Sequence, residues 1–186
     1  MKKADEFNAS DRIDVSLLNS HTHFLTGEID EDNINACIKW LVYENLETTK
    51  HKTLTLYINS TGGDLYQAFA LIDVINNSNH SVRTIGLGSI MSAAFLIFVS
   101  GTKGERYIAP NTGIMCHQFT EGIDAKYHDI KAQMKESEYC NQRMLNILKD
   151  ACELSTAKIK AKLLPASDVY LTAQEMVDMG LADSVL

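Results

Sequence analysis

Residues 53–72 read Thr53-Leu54-Thr55-Leu56-Tyr57-Ile58-Asn59-Ser60-Thr61-Gly62-Gly63-Asp64-Leu65-Tyr66-Gln67-Ala68-Phe69-Ala70-Leu71-Ile72. Leu54, Leu56 and Ile58 alternate with Thr53, Thr55 and Tyr57, the period of a strand with one buried face. Asn59 to Gly63 is rich in turn formers. Leu65, Ala68, Phe69, Ile72 and Ile75 then recur at helical spacing. Strand, glycine turn and helix in that order form the unit from which parallel α/β sheets are built. The same sentence is written again downstream. Val82 to Leu87 is an apolar strand, Gly88 is expected to break it, and Ser92 to Val99 reads as a short buried helix ended by Gly101.

The flanking sequence extends this pattern. A short strand is expected around His23 to Leu25, after which Asp30-Glu31-Asp32 places negative charge where a helix N-terminus favours it. Ile34, Cys37, Ile38, Leu41 and Val42 mark that helix. Arg106 to Ala109 and Ile114 to His117 read as strands around a Pro110-Asn111 turn. From Asp124 to Glu153 there is no Gly or Pro, and Ile130, Met134, Ser137, Asn141, Met144, Leu148 and Ala151 recur every three or four residues. This predicts one long helix of about 45 Å, which projects or packs on another subunit. Ser155 is expected to cap a short helix ended by Pro165. Thr172 and Glu175 have capping-box spacing, Gly180 stops that helix, and Leu181 to Val185 returns as a strand. The class is α/β with a largely parallel sheet.

Composition narrows the function. The 186 residues carry a net charge of −7, which argues against a generic nucleic-acid binder or a polybasic membrane binder. The apolar run from Ala93 to Val99 is far short of a membrane span, and the polar N-terminus has no signal-peptide core. Cys37, Cys116, Cys140 and Cys152 show no CxxC spacing and read as free thiols. A cytoplasmic protein is expected, with residues 1–15 as an N-terminal arm or axial segment and residues 16–186 as one domain.

Both glycine turns leave backbone N–H groups at helix N-termini, where a negative oxygen can be held. Neither precedes a Gly-Lys-Ser/Thr phosphate loop. Ser92, at the second turn, is either an N-cap or an activated nucleophile. The G-x-S-x-G elbow does not fit, because Ile90 and Ala94 stand at its glycine positions. His117 ends a strand, and Cys116 beside it points to the opposite face, so the two cannot easily pair. His21-x-His23 could share a strand face but lacks a third metal ligand. Asp168 falls in a loop after Pro165.

Ordered blocks in this chain resemble the proteolytic subunit of the Clp protease, the caseinolytic serine peptidase family. Leu56 to Gly63 is similar to the family's YINSPGG, with Thr61 where proline is usual. Thr84 to Arg106 is similar, without a gap, to the nucleophile block. Pro110-Asn111 with Ile114-Met115-Cys116-His117-Gln118, Asp168 to Ala173, and Gly180 to Ser184 resemble the blocks that follow. The resemblance implies a crotonase-like ββα superhelix with a projecting handle at about 118–153. It implies Ser92 as nucleophile, His117 as base and Asp168 as the third member of the triad, with the backbone N–H groups of Gly63 and Ala93 as oxyanion donors. Substrate would add as a strand between Gly62, Gly63, Asp64 and Leu65 on one side and Gln118, Phe119 and Thr120 on the other. No cofactor or metal is implied. Two stacked seven-membered rings of this chain and a hexameric AAA+ unfoldase feeding unfolded polypeptide are implied as partners. Glu121 replaces a glycine, Ser167 replaces an arginine of the ring-to-ring contact, and the N-terminus is short. Two other functions compete: a catalytically silent ring subunit that modulates an active peptidase, and a crotonase-type acyl-CoA enzyme sharing the fold.

Overall fold

The computed structural model describes residues 8–46, 50–120, 122 and 124–186. Seven strands and seven helices are assigned among them: α1 (Ala9–Asn19), β1 (Thr22–Thr26), α2 (Glu31–Glu44), β2 (Thr53–Ser60), α3 (Leu65–Asn76), β3 (Ser81–Met91), α4 (Ala93–Val99), β4 (Arg106–Ile108), β5 (Gly113–Cys116), α5 (Tyr127–Ala151), α6 (Thr156–Lys162), β6 (Val169–Leu171), α7 (Ala173–Asp178) and β7 (Ser184–Val185). The sheet runs β1-β2-β3-β4-β7, parallel throughout, with β5 parallel to the end of β3 and β6 antiparallel to β5. The expected α/β class and parallel-rich sheet are those of the structure.

Alternation in β2 buries Leu54, Leu56 and Ile58. They join Leu25, Ile34, Leu41, Leu71 and all of α4, whose seven residues are buried. A helix apolar all round belongs in a core, and α4 lies in this one. N-terminal caps form, those at Ser155 and Thr172 as predicted. Asp30 accepts from Asn33 N, Asp64 from Tyr66 N and Gln67 N, Ser155 from Lys158 N, and Thr172 with Glu175 closes a capping box. Arg106, with its side chain 3% exposed, ties the far edge together. Its guanidinium donates to Asp183 Oδ1 at 2.7 Å and Oδ2 at 3.0 Å, and to the carbonyls of Ala151 and Gly180 at 2.9 Å each.

Several expectations change. Gly88 does not end its strand: β3 continues through it, with φ +65°, to Met91. Register explains how. Ile58 pairs with Gly86, but Ser60 pairs with Ile90, so β3 makes an excursion where β2 makes one step. At that excursion β3 changes neighbour, from β4 at Thr84–Gly86 to β5 at Ser89–Met91. The long helix is shorter than expected, starting at Tyr127 after an extended Lys126 and stopping at Ala151. The predicted C-terminal strand is reduced to Ser184–Val185, because Leu181 and Ala182 turn back to the Met176 carbonyl. The strand β6 adds an element that the sequence pattern does not predict, while Asp168 just before it lies in the expected loop. In the stretch read as an arm, α1 begins at Ala9 with Asn8 and Asp11 forming a capping box. Residues 1–7 of that arm and Glu121 lie outside the described residues.

Candidate active site

The excursion in β3 delivers Ser92 to the end of β5. Ser92 N donates to Met115 O at 2.9 Å, and Ser92 Oγ lies 2.7 Å from His117 Nε2. Ser92 occupies the N-cap position of α4 but makes no side-chain cap bond. Its backbone sits at φ +54°, ψ −123°, a region that costs a non-glycine residue about 1–3 kcal/mol and is held only by surrounding structure. The serine is therefore aimed at the histidine rather than at its own helix. The elbow motif was absent from the sequence, yet this sharp strand-to-helix turn exposes the hydroxyl as that motif would.

The first glycine turn is packed against the second. A Cβ built on Gly62 (φ +103°) would lie 2.7 Å from Ser92 Cβ, 2.9 Å from Met91 O and 3.2 Å from Ala93 N. On the other side, Ile29 N donates to Gly62 O at 2.9 Å and Asp64 N donates to Ile29 O at 2.7 Å. A Cβ at Gly63 would strike the Ile29 carbonyl oxygen. Glycine at both positions is thus a steric requirement. Among the described residues, the N–H groups of Gly63 and Ala93 find no acceptor within the chain. Two free donors beside a serine hydroxyl suit an oxygen that becomes negative during reaction.

These groups open into a cleft of about 260 Å³. Gly63, Asp64 and Leu65 form one side, Gln118, Phe119 and Thr120 the other, with Ser92, Ala93 and His117 between them. Gly62 lies behind this surface. Tyr66 and Met144 also line the cleft and were not anticipated. Met144 was legible only as a member of the α5 stripe, and Tyr66 as an off-stripe residue of α3. Tyr66 OH donates to Glu136 Oε1 at 3.1 Å, bridging α3 to α5. The far wall is tied to the same region, with Gln118 Nε2 donating to Leu164 O at 2.8 Å and Phe119 N to Asn141 Oδ1 at 3.3 Å.

Asp168 is exposed, in the loop leading into β6. No hydrogen bond joins it to His117 among the described residues. The register is nevertheless suggestive: Ile114 pairs with Leu171, Met115 with Tyr170 and Cys116 with Val169. The ladder ends there, and one further rung would set His117 opposite Asp168, with both side chains on one face.

The other candidates are engaged elsewhere. Cys116 is buried on the opposite face; burial pushes its thiol up to about 12, against a hydrogen bond from the His117 backbone that lowers it. A protonated, buried thiol is no nucleophile. His21 Nδ1 meets Glu44 Oε2 at 2.8 Å, and His23 stacks on Trp40 with centroids 5.2 Å apart, its pKa lowered by burial. Among the described residues no cluster could hold a metal ion, no helix is long and apolar enough to cross a membrane, and all four cysteines are free.

Comparison with known proteins identifies a family. The family model described as Clp protease matches residues 5–186. The ATP-dependent Clp protease proteolytic subunit of Ligilactobacillus salivarius (strain UCC118) is 31% identical over 170 residues, covering 91% of this chain and 85% of its own length.

Proposed function

The chain belongs to the Clp protease family, and on that premise we propose that it is a serine endopeptidase subunit using Ser92, His117 and Asp168. The observation that carries this reading is the 2.7 Å approach of Ser92 Oγ to His117 Nε2 beside two free backbone donors. Ser92 Oγ attacks the peptide carbonyl carbon as His117 Nε2 takes its proton. The carbonyl oxygen becomes an oxyanion between the N–H groups of Gly63 and Ala93, each worth roughly 3 kcal/mol in the transition state. His117 then protonates the departing amine, the C–N bond breaks, and water hydrolyses the acyl-enzyme by the reverse proton path. Asp168 fixes the imidazole tautomer once the β5–β6 ladder closes by its next rung. An extended substrate pairs with the 63–65 and 118–120 segments through its backbone, which reads little of its sequence.

Family members form oligomeric rings with Clp ATPases. For this chain we propose two stacked seven-membered rings and a hexameric AAA+ partner. The first half of α5 supports self-assembly: its buried residues begin only at Cys140, while Tyr127, Met134 and Tyr139 are 65%, 55% and 49% exposed. The sheet face turned from the core supports further docking. Phe24 and Tyr57 stack there at 4.8 Å, and Arg83 lies over Tyr107 at 5.5 Å. Exposed apolar surface of this kind marks an interaction site.

A silent ring subunit is the second reading, favoured by the missing contact between Asp168 and His117. Purified wild type and Ser92→Ala treated with a fluorophosphonate probe decide between them. Mass addition to wild type alone, on a particle near fourteen chains, is the expected result. A fourteen-chain particle that takes no label supports the silent reading, and a labelled Ser92→Ala refutes the nucleophile.

A further inference from the structure

Asn59 helps to pin the excursion that carries β3 from β4 to β5, together with Thr112, whose Oγ1 donates to Gly86 O at 3.1 Å. Asn59 Oδ1 accepts from Ser89 N at 3.0 Å and from Ser89 Oγ at 3.3 Å. These bonds fall where the β2–β3 ladder loses its rungs, between Ile58–Gly86 and Ser60–Ile90. An amide oxygen thus stands in for the main-chain acceptor that the excursion removes, and it satisfies a backbone donor there. Gly88 lets it approach, since a Cβ there would strike Asn59 Oδ1. Asn59 O in turn accepts from Gly27 N at 3.1 Å, so the residue is anchored to β1 as well.

Two features of the site depend on this point. Ser89 begins the three-residue pairing with Gly113–Met115 that ends at Met91, the residue before Ser92. Asn59 itself stands three residues before Gly62, whose turn touches Ser92 and Ala93. Both glycine turns are therefore referenced to the same residue, one through its chain and the other through its side chain.

We propose that Asn59 is a positioning residue for catalysis, which sets the spacing of the Gly63 and Ala93 N–H donors and the aim of Ser92. It touches neither substrate nor reacting atoms. The inference rests on the serine-peptidase reading and goes beyond it in assigning the offset between the two turns to a single acceptor oxygen.

Three variants and a short fluorogenic peptide test it, with Ser92→Ala as the control for the reading beneath. Asn59→Ala is expected to keep particle size and to lose roughly 10- to 100-fold in kcat, since a displacement near 1 Å costs about that much. KM should stay within about threefold, the pattern of an interaction made only in the transition state. Affinity for a peptidyl aldehyde, whose hemiacetal oxygen needs both donors, should fall by the same factor as kcat, while affinity for the peptide acid product is unchanged. Asn59→Asp keeps an acceptor oxygen and should restore kcat to within about threefold of wild type. Gly88→Ala pushes the same oxygen away with Asn59 intact, and should show the same loss in kcat alone; it carries the test if Asn59→Ala does not fold. Wild-type kcat in Asn59→Ala, or in a folded Gly88→Ala, overturns the proposal. So does equal loss of product and aldehyde affinity with no rescue by Asp, which marks a merely structural residue. Full activity in Ser92→Ala instead removes the serine reading, and is seen independently of position 59.

Discussion

Replacing Gly62 by alanine tests how closely the two glycine turns must approach. The new methyl would lie 2.7 Å from Ser92 Cβ, whereas carbon atoms rest at about 3.5–4.0 Å, so one partner must retreat by at least about 0.8 Å. Little slack exists on either side. Gly62 O is held by Ile29 N at 2.9 Å, and Ser92 N holds Met115 O at 2.9 Å. The backbone at φ +103° adds about 1–2 kcal/mol of strain for any L side chain. Ser92 and Ala93 N–H give way more readily than the sheet does, because they sit on a turn already strained at φ +54°. A shift near 1 Å in a reacting group costs about 100-fold in rate, and loss of one oxyanion donor costs about 100- to 1,000-fold. Gly62→Ala should therefore lower kcat by about 100-fold or more while the fold survives with a lower melting temperature. Peptide hydrolysis, particle size and thermal melting of the same sample check this. A folded Gly62→Ala with kcat within about threefold of wild type refutes the tight apposition of the turns.

Asp183→Asn removes the carboxylate that pairs with buried Arg106. Burial opposes its charge, but the hydrogen bonds from Arg106 and the backbone donors hold its carboxyl below the usual carboxylate value. A carboxyl depressed in the fold stabilises above its unfolded pKa, and that stability is lost as the pH falls through the lower folded value. Wild type should thus lose this contribution only in strong acid. Asp183→Asn should lack it at neutral pH, by about 3 kcal/mol and a melting shift of about 6–12 °C, with a flatter acid limb; an unchanged melting curve refutes the anchor. Asp168→Asn should leave assembly intact and lower kcat by roughly 1,000- to 10,000-fold, the effect of a wrong imidazole tautomer. Undiminished hydrolysis by Asp168→Asn would mean that another group orients His117.

Much of the architecture was legible because short-range pattern and long-range packing agree. The alternation of residues 53–58 and the stripe from Leu65 are each explained by one buried face. Caps at Asp30, Ser155 and Thr172 needed only their own turns. Gly88 misled because a glycine at positive φ serves a strand excursion as well as a strand end, and the two differ only in which partner strands lie alongside. Similarly, β6 has three residues and exists because β5 needs an antiparallel neighbour, which no local period announces. In the site, Gly63, Ser92, Ala93 and His117 were legible as candidates from ordered motifs, and the structure brings them to one cleft. Tyr66, Asn59 and Asn141 did not, because each acts across the chain, on Glu136, Ser89 and Phe119 respectively.

The site is also built with unequal firmness, and the difference follows from its bonding. Ser92, His117 and the N–H groups of Gly63 and Ala93 lie on the turns that follow β2, β3 and β5, joined by parallel ladders and by the buried helix α4. The remaining parts hang on fewer bonds. Phe119 and Gln118 are each fixed by one hydrogen bond, to α5 and to the end of α6, and Asp168 follows that same end after Pro165. Displacing α6 would therefore disturb the cleft wall and Asp168 together, while leaving Ser92 on His117. The half of α5 before Cys140 has no buried residue to steady it within this chain. The firm half of the site is thus specified by one chain's core, and the half that lines the cleft and carries Asp168 rests on elements that another copy can brace.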